Sequence, residues 1–481
     1  MKISRSRHFS QPSSANRPAR RSARFERLEN RELLALTIGS ADYKALADSF
    51  VADETDDAAI WVTTLSDSST AADGKISLRE ALDYAGTKTD AGTLSSTIRF
   101  SLGGTLELSR TLAINKDVTV DASDVGGVEI DRGGKGQVLL LYGGKASDER
   151  SVSLIGLTLT GGVANSTTEG GTYKGVGVQV SAFCNLTATN CAIVGNASNA
   201  ALGAGIYVQG GRLTLVDSVV SGNSAGGAAS VGGGIYVDGG DLTLTRTTVA
   251  NNSAAVGGGV YVKGGSAVLD GALLSGNSAT SGAGGGFYNF AGYLDVENSA
   301  FLANSATNAG GGLYNVGVEG RETLLVDATF ADNSAQNGAA LFASGGAISL
   351  TDVRFERNEA LASGGAIYVD ANAELELVDA AFSTNKAEAN GGALFNGGVL
   401  SVDGARFDGD GAEGDGGAVF STGYFEIRDA AFANVSATNG GALAVENESS
   451  GSISWLLATS FENCSANVGG ALSLDGSLSG S

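Results

Sequence analysis

One pentapeptide constrains this chain more than any other feature. Gly203-Ala204-Gly205-Ile206-Tyr207 returns as Gly232-Gly233-Gly234-Ile235-Tyr236, and again from Gly257, Gly284, Gly310, Gly338, Gly364, Gly391, Gly416, Gly440 and Gly469, eleven copies in all. Its third residue advances from 205 to 471 with a mean period of 26.6 residues and a range of 24 to 29. Inside each period an apolar residue is followed three positions later by Asn, as in Phe301-Leu302-Ala303-Asn304 and Phe355-Glu356-Arg357-Asn358. The Asn column runs through 196, 223, 252, 277, 304, 333, 358 and 385, and is then replaced by Asp410, Val435 and Cys464. Short alternating stretches such as Leu213-Thr214-Leu215 and Leu375-Glu376-Leu377 lie between the two signatures. Period-two alternation inside a longer repeat predicts an all-β solenoid, a single-stranded parallel β-helix.

Composition agrees with this. Glycine is 73 of 481 residues and proline only 2. A glycine in a helix interior costs roughly 1 kcal/mol, so helices are disfavoured. There is no Gly-X-Y period, and 42% apolar residues is too many for a disordered chain. A coil of this length predicts three strands of four or five residues joined by three turns, with about 13–14 coils stacked at ~4.8 Å into a rod of about 65 Å. The third pentapeptide residue is Gly or Ala in every copy, which predicts close backbone approach at a bend. The asparagines are expected to adopt the left-handed conformation and to stack their amides into a ladder.

Three segments are expected: a basic leader over 1–40, a module with a strand and a short helix over 41–100, and the solenoid over 101–481. The leader carries net charge +6 and the remainder −28, giving −22 overall. A body that acidic repels nucleic acid and anionic membrane. No 18-residue apolar run is present to form a transmembrane helix. The only histidine is His8, which removes histidine-based catalysis and histidine-ligated metal from the folded part. Cys184, Cys191 and Cys464 do not make a disulfide framework and read as small buried hydrophobes.

Several stretches resemble known families. Phe25-Glu26-Arg27-Leu28-Glu29-Asn30-Arg31-Glu32-Leu33-Leu34-Ala35 resembles the F-E-x-L-E-x-R-x-L-L-A signature of secreted planctomycete proteins, with Asn30 where proline is common. It implies an export address on a leader expected to be disordered. Ile76-Ser77-Leu78-Arg79-Glu80-Ala81 resembles the C-S-L-R-E-A module that begins secreted bacterial β-helices, with Ile76 in place of its cysteine. An EF-hand reading of the same stretch lacks carboxylates at Ser69 and Ala71. The paired signatures Gly364-Gly365-Ala366-Ile367 and Phe382-Ser383-Thr384-Asn385 resemble the repeat of chlamydial polymorphic outer membrane proteins over residues ~190–475. That resemblance implies a right-handed helix, secreted or displayed at the cell surface and often adhesive. Autotransporter members add a C-terminal β-barrel; here Gly480-Ser481 follows a repeat directly, so that export route is not expected.

Three columns are candidates for chemistry. The fifth pentapeptide residue is aromatic in nine consecutive coils, and Tyr236, Tyr261, Tyr288, Tyr314 and Tyr368 are candidate contacts for a polysaccharide or a surface protein. Alternation turns this column outward, where it either binds a partner or stiffens the rod by stacking. The carboxylates Asp217, Asp327, Asp352, Asp379 and Asp429 recur at one position of the repeat. Like charges 4.8 Å apart repel by about 0.9 kcal/mol in water, so Asp327, Asp352 and Asp379 are calcium candidates, unless they are simply turn formers. Asp408, Asp410 and Asp415 form a second hard-oxygen cluster and the other candidate calcium position. The expected function is a non-catalytic adhesive or structural β-helix, with no obligatory cofactor. The alternatives are a calcium-assisted polysaccharide-binding module and a pectate-lyase-like enzyme using Arg354 or Arg357 as base near Asp327 and Asp379.

Overall fold

The computed structural model describes residues 59–475 and 478–480, apart from 69–72, 87, 90–91, 94–95, 165–173, 200–201 and 447–453. The export-type leader over 1–40 and its F-E-x-L-E block lie outside the described residues. The chain winds as a parallel β-helix, and its strands collect into four long sheets of 16, 14, 12 and 14 strands, every adjacent pair parallel. One coil illustrates the rest. Phe287–Phe290 belongs to an aromatic sheet, Tyr293–Glu297 to a broad sheet, Ala300–Leu302 to a second sheet and Ser305–Ala306 to a narrow sheet. With 14 strands in the aromatic sheet, spacing of ~4.8 Å gives a rod about 60 Å long.

Each strand alternates. In Asp241–Thr245, Leu242 and Leu244 are buried while Asp241, Thr243 and Thr245 are turned outward. In Ile235–Asp238, Ile235 and Val237 point inward at 0% exposure. The register puts like on like: Leu213 pairs with Leu242, Val220 with Val249, and Phe330 with Phe355. Each coil therefore buries its aliphatic face only against its two neighbours, and the core is one continuous column from Val62 to Val445.

A coil has four strands, not the three expected. The residue before each ladder Asn is left-handed, as is the one before Asp410: Gly195, Gly222, Asn251, Gly276, Ala303, Asp332, Arg357, Thr384 and Gly409 have φ between 52° and 72°. That bend splits one expected strand into a three-residue strand on the second sheet and a two-residue strand on the narrow sheet. The asparagines themselves are not left-handed, another departure from expectation; the preceding residue takes the bend and leaves the Asn side chain pointing into the core. A second left-handed corner, between the broad and second sheets, holds Asn190, Asp217, Arg246, Gly271, Asn298, Asp327, Asp352, Asp379, Gly404 and Asp429.

In the pentapeptide the close approach expected at the third residue is met in the earlier coils, where a Cβ on Gly259 would fall 2.4 Å from the Gly286 carbonyl, but the residue that is glycine in every copy is the first. Gly257 has φ +62°, and a Cβ there would sit 2.8 Å from Tyr261 Cβ and 3.0 Å from the Val260 carbonyl. Both the conformation and the space exclude a side chain. The third position becomes alanine from Ala340 onward, where it is buried in the core.

The first described strand is Ile60–Val62, followed by the helix Leu78–Tyr84. Ser77 caps the helix, accepting from the Glu80 amide, and Glu80 Oε2 accepts from the Ser77 amide at 2.9 Å. Glu80 is thus committed to a capping box rather than to an EF-hand loop. Leu78, Ala81, Leu82 and Ala85 join the core from this end. Arg79 pairs with Asp67 at 2.6 Å and donates to the carbonyls of Arg110 and Thr111. Burial by itself would raise the Asp67 carboxyl, but bonds from Arg79 and Ser109 hold it below the ordinary range. Among the described residues no helix is long and apolar enough to cross a membrane, which says nothing about a β-barrel.

Candidate functional site

Fixed register turns every recurring residue into a ladder along the rod, so candidate sites here are columns. The innermost is the asparagine ladder. Asn196, Asn223, Asn252, Asn277, Asn304, Asn333, Asn358 and Asn385 are at most 1% exposed, and each Nδ2 donates to the next Oδ1 at 2.9–3.1 Å. From Asn223 on, each Oδ1 also accepts the backbone amide of the Asn one coil earlier, as Asn304 does from Asn277 at 3.0 Å, while Asn196 Oδ1 accepts that of Gly162. Buried amides satisfied in this way hold one bend in register without leaving a polar group unpaired.

Beside it runs a stack the sequence reading did not foresee. Phe301, Phe330, Phe355, Phe382, Phe407, Phe432 and Phe461 lie face to face, with centroids 4.5–5.3 Å apart and planes within 16°. The signal was present in the F-x-x-N motif, because a constant register must place those rings over one another.

The aromatic row alternates as expected in its middle coils, Tyr261 to Phe395, but Tyr207, Tyr236 and Phe420 are buried. From Tyr261 through Tyr288, Tyr314, Phe342, Tyr368 and Phe395 to Phe420 the rings stack with centroids 4.4–5.4 Å apart and planes 4–28° apart. Tyr236 meets Tyr261 edge-on at 78° and is 5% exposed; Tyr207 is fully buried, with Lys174 over its ring. Most of the row is half-buried against the glycine bend. The faces of Tyr288, Tyr314 and Tyr368 are occupied by their neighbours, so edges and hydroxyls are what face solvent. A sugar ring stacks on an aromatic face, and this geometry does not offer one. Burial raises the phenols of Tyr236, Tyr261, Tyr288 and Tyr368, with Asp238 adding to the rise at Tyr236 and Tyr261 and Asp370 at Tyr368.

Asp327, Asp352 and Asp379 occupy successive coils, exposed at the left-handed corner with φ of 51°, 56° and 52°. Their backbone conformation is one that Asp tolerates better than most residues, which accounts for their recurrence. In the same column Arg246 pairs with Asp217 at 2.7 Å, and its guanidinium holds the Asp217 carboxyl below the usual range. The second calcium candidate is not gathered into one place. Asp408 is exposed and accepts from Asn434 at 2.8 Å; Asp415 is half-buried and accepts from Asn439 at 2.6 Å; Asp410 is buried in the ladder. Among the described residues no three His, Cys, Asp or Glu side chains converge as a metal cage requires. Arg357 is held by Asp332 at 2.8 Å and by Glu356, which raises its already high pKa and withdraws it from service as a base. Arg354 lies exposed on the second sheet, paired through its backbone with Thr329 and Ala381.

The three cysteines are free, Cys184 and Cys191 buried and Cys464 half-buried. A shallow depression of about 430 Å³ lies along the corner between the broad and second sheets, lined by Ser123, Gly127, Thr158, Asn190 and Asp217 among others. No curated protein matches the chain, and no solved structure matches it. A family model described as "Right handed beta helix region" matches residues 229–407. That match and the four stacked parallel sheets agree on one fold, a right-handed parallel β-helix.

Proposed function

We propose that this protein is a non-catalytic rod, secreted or held at a cell surface, that serves a structural or adhesive role through its long faces. The observation that carries the reading is the uniformity of its coils. From Ile206 to Val445 the strands follow one another at constant register, and the Asn, Phe and Tyr columns run side by side along the rod. A solenoid enzyme of the lyase kind needs a cation in a cleft beside carboxylates; here Arg357 is paired with Asp332, and Arg354 stands exposed on the flat face of the second sheet. The acidic body and the export-type leader favour work outside the cell.

A partner polysaccharide or surface protein would meet edges, hydroxyls and carboxylates rather than a pocket. Binding of the purified chain to a glycan array and to intact bacterial cells tests the reading, with uronate release from polygalacturonate as the enzymatic control. Cell or glycan binding without turnover is the expected result. Turnover of a polysaccharide would replace the reading with an enzymatic one.

A further inference from the structure

From Asn223 to Asn385 every asparagine of the ladder uses its side-chain nitrogen twice. Asn223 Nδ2 donates to Asn252 Oδ1 at 3.0 Å and to the Ile193 carbonyl at 2.9 Å. The second acceptor is always three residues before the Asn of the preceding coil: Val249 for Asn277, Leu274 for Asn304, Phe301 for Asn333, Phe330 for Asn358 and Phe355 for Asn385. The next rung is Asp410. Its Oδ1 behaves as an Asn oxygen would, accepting the Asn385 amide at 2.7 Å and Asn385 Nδ2 at 2.9 Å. Its Oδ2 stands where the amide nitrogen should be, buried and without a hydrogen-bond partner. By the repeat, the group it faces is the carbonyl of Phe382. Two acceptors there repel, whereas a proton on Oδ2 turns the contact into an O–H donor on a carbonyl. Beyond Asp410 the column holds Val435, which offers no side-chain polar group.

We propose that Asp410 is a pH-sensitive joint in the rod. Protonated, it completes the ladder by donating to the Phe382 carbonyl; ionised, it loosens the coils that follow from those that precede. The proton is exchanged with water and no other group is transferred.

The charged groups near this rung lie outside it. Asp408, two residues earlier, is exposed and bonded to Asn434. Lys386 on the preceding coil and Glu413 on its own coil are exposed, and the following rung is Val435-Ser436. Among the described residues no cation pairs with the Asp410 carboxylate. Burial pushes the carboxyl up to about 7; the Asn385 bonds and the backbone at Asp408 oppose the rise, and the Asp408 charge adds to it. The folded value lies above the unfolded 3.8. The stabilisation is therefore complete below about pH 4, is lost as pH rises towards 7, and changes little above that.

Hydrogen exchange by mass spectrometry on the full chain, corrected for intrinsic rates, reads this directly. From pH 5 to pH 9 the opening of segments after Gly411 should increase by about 100-fold, while segments between 203 and 380 change little. Asp410→Asn, which restores the missing donor, should abolish the increase; Asp408→Asn should retain it. In the infrared at pH 6, the carbonyl stretch of a neutral carboxylic acid should be present in the wild type, absent in Asp410→Asn, and lost on raising the pH. An equal pH response in wild type and Asp410→Asn, or no neutral-acid signal attributable to Asp410, overturns the proposal. The infrared reading on the wild type decides the matter even if the variant folds poorly.

Discussion

At the scale of single residues, two left-handed columns, the first glycine of each pentapeptide and one amide ladder determine the path of the chain. Gly257 has no room for a methyl group, so Gly257→Ala combines a left-handed alanine, about 1–2 kcal/mol, with a clash against Tyr261. Denaturant melts of the variant are expected to show at least that loss, and unchanged stability would contradict the packing described. Asn304→Ala strands the Asn277 amide and Nδ2 donors, while the Asn333 oxygen on its other side loses the Nδ2 bond but keeps the backbone amide of residue 304. Leaving buried donors unpaired costs about 1–3 kcal/mol. The same melts, compared with a surface Thr243→Ala control, check it. The asparagine ladder was legible in the sequence because eight copies of one amide recur at one phase. Which residue bends was not. Ala303, Arg357 and Thr384 are poor left-handed formers, and only the tertiary context of their neighbours holds them there.

Among the elements, strand register is the link between sequence and packing. The phenylalanine stack follows from it: Phe355 is fully buried between Phe330 and Phe382, with centroids 5.3 and 4.8 Å away. Phe355→Ala removes a ring from the middle of the core and should destabilise the surrounding coils by about 3–5 kcal/mol, with Phe355→Leu far milder. Hydrogen exchange in the strands Thr329–Ala331 and Ala381–Ser383 is the measurement that localises the loss. The outward tyrosines carry a pH prediction. Their folded phenols titrate above the ordinary 10.0 because burial disfavours phenolate. The unfolded chain therefore releases protons first, and stability falls as pH rises through and beyond 10. Phenolate absorbance should appear together with unfolding rather than ahead of it. Alternation alone placed these rings outward, but sequence does not encode how far neighbouring rings cover one another. The reading of Tyr236 as an accessible contact fails for that reason: it is 5% exposed between Tyr207 and Tyr261.

For the whole molecule, stability is a sum over neighbouring coils rather than the property of one globular centre. The number of coils, their parallel stacking and the acidic surface were all readable from period and composition. The fourth strand was not, since a two-residue element such as Ser305–Ala306 carries no period of its own. Candidate calcium positions were over-read for a related reason: Asp408, Asp410 and Asp415 are close in sequence, yet the bend sends one inward and leaves the others on separate partners.

Coils stacked at constant spacing must place one outward row of residues at evenly increasing distances along the rod. Thr214, Ser349 and Ser401 lie on one line through the pairings Thr214–Thr243, Thr243–Val268, Val268–Asp295, Asp295–Leu324, Leu324–Ser349, Ser349–Glu376 and Glu376–Ser401. Spin labels at Thr214 and Ser349 span five coils, and labels at Thr214 and Ser401 span seven. With Cys184, Cys191 and Cys464 replaced by alanine, electron–electron distances should centre near ~24 Å and ~34 Å, a rise of about 4.8 Å per coil. Distances that fail to grow with coil number, or a broad distribution for both pairs, would contradict the stacked rod.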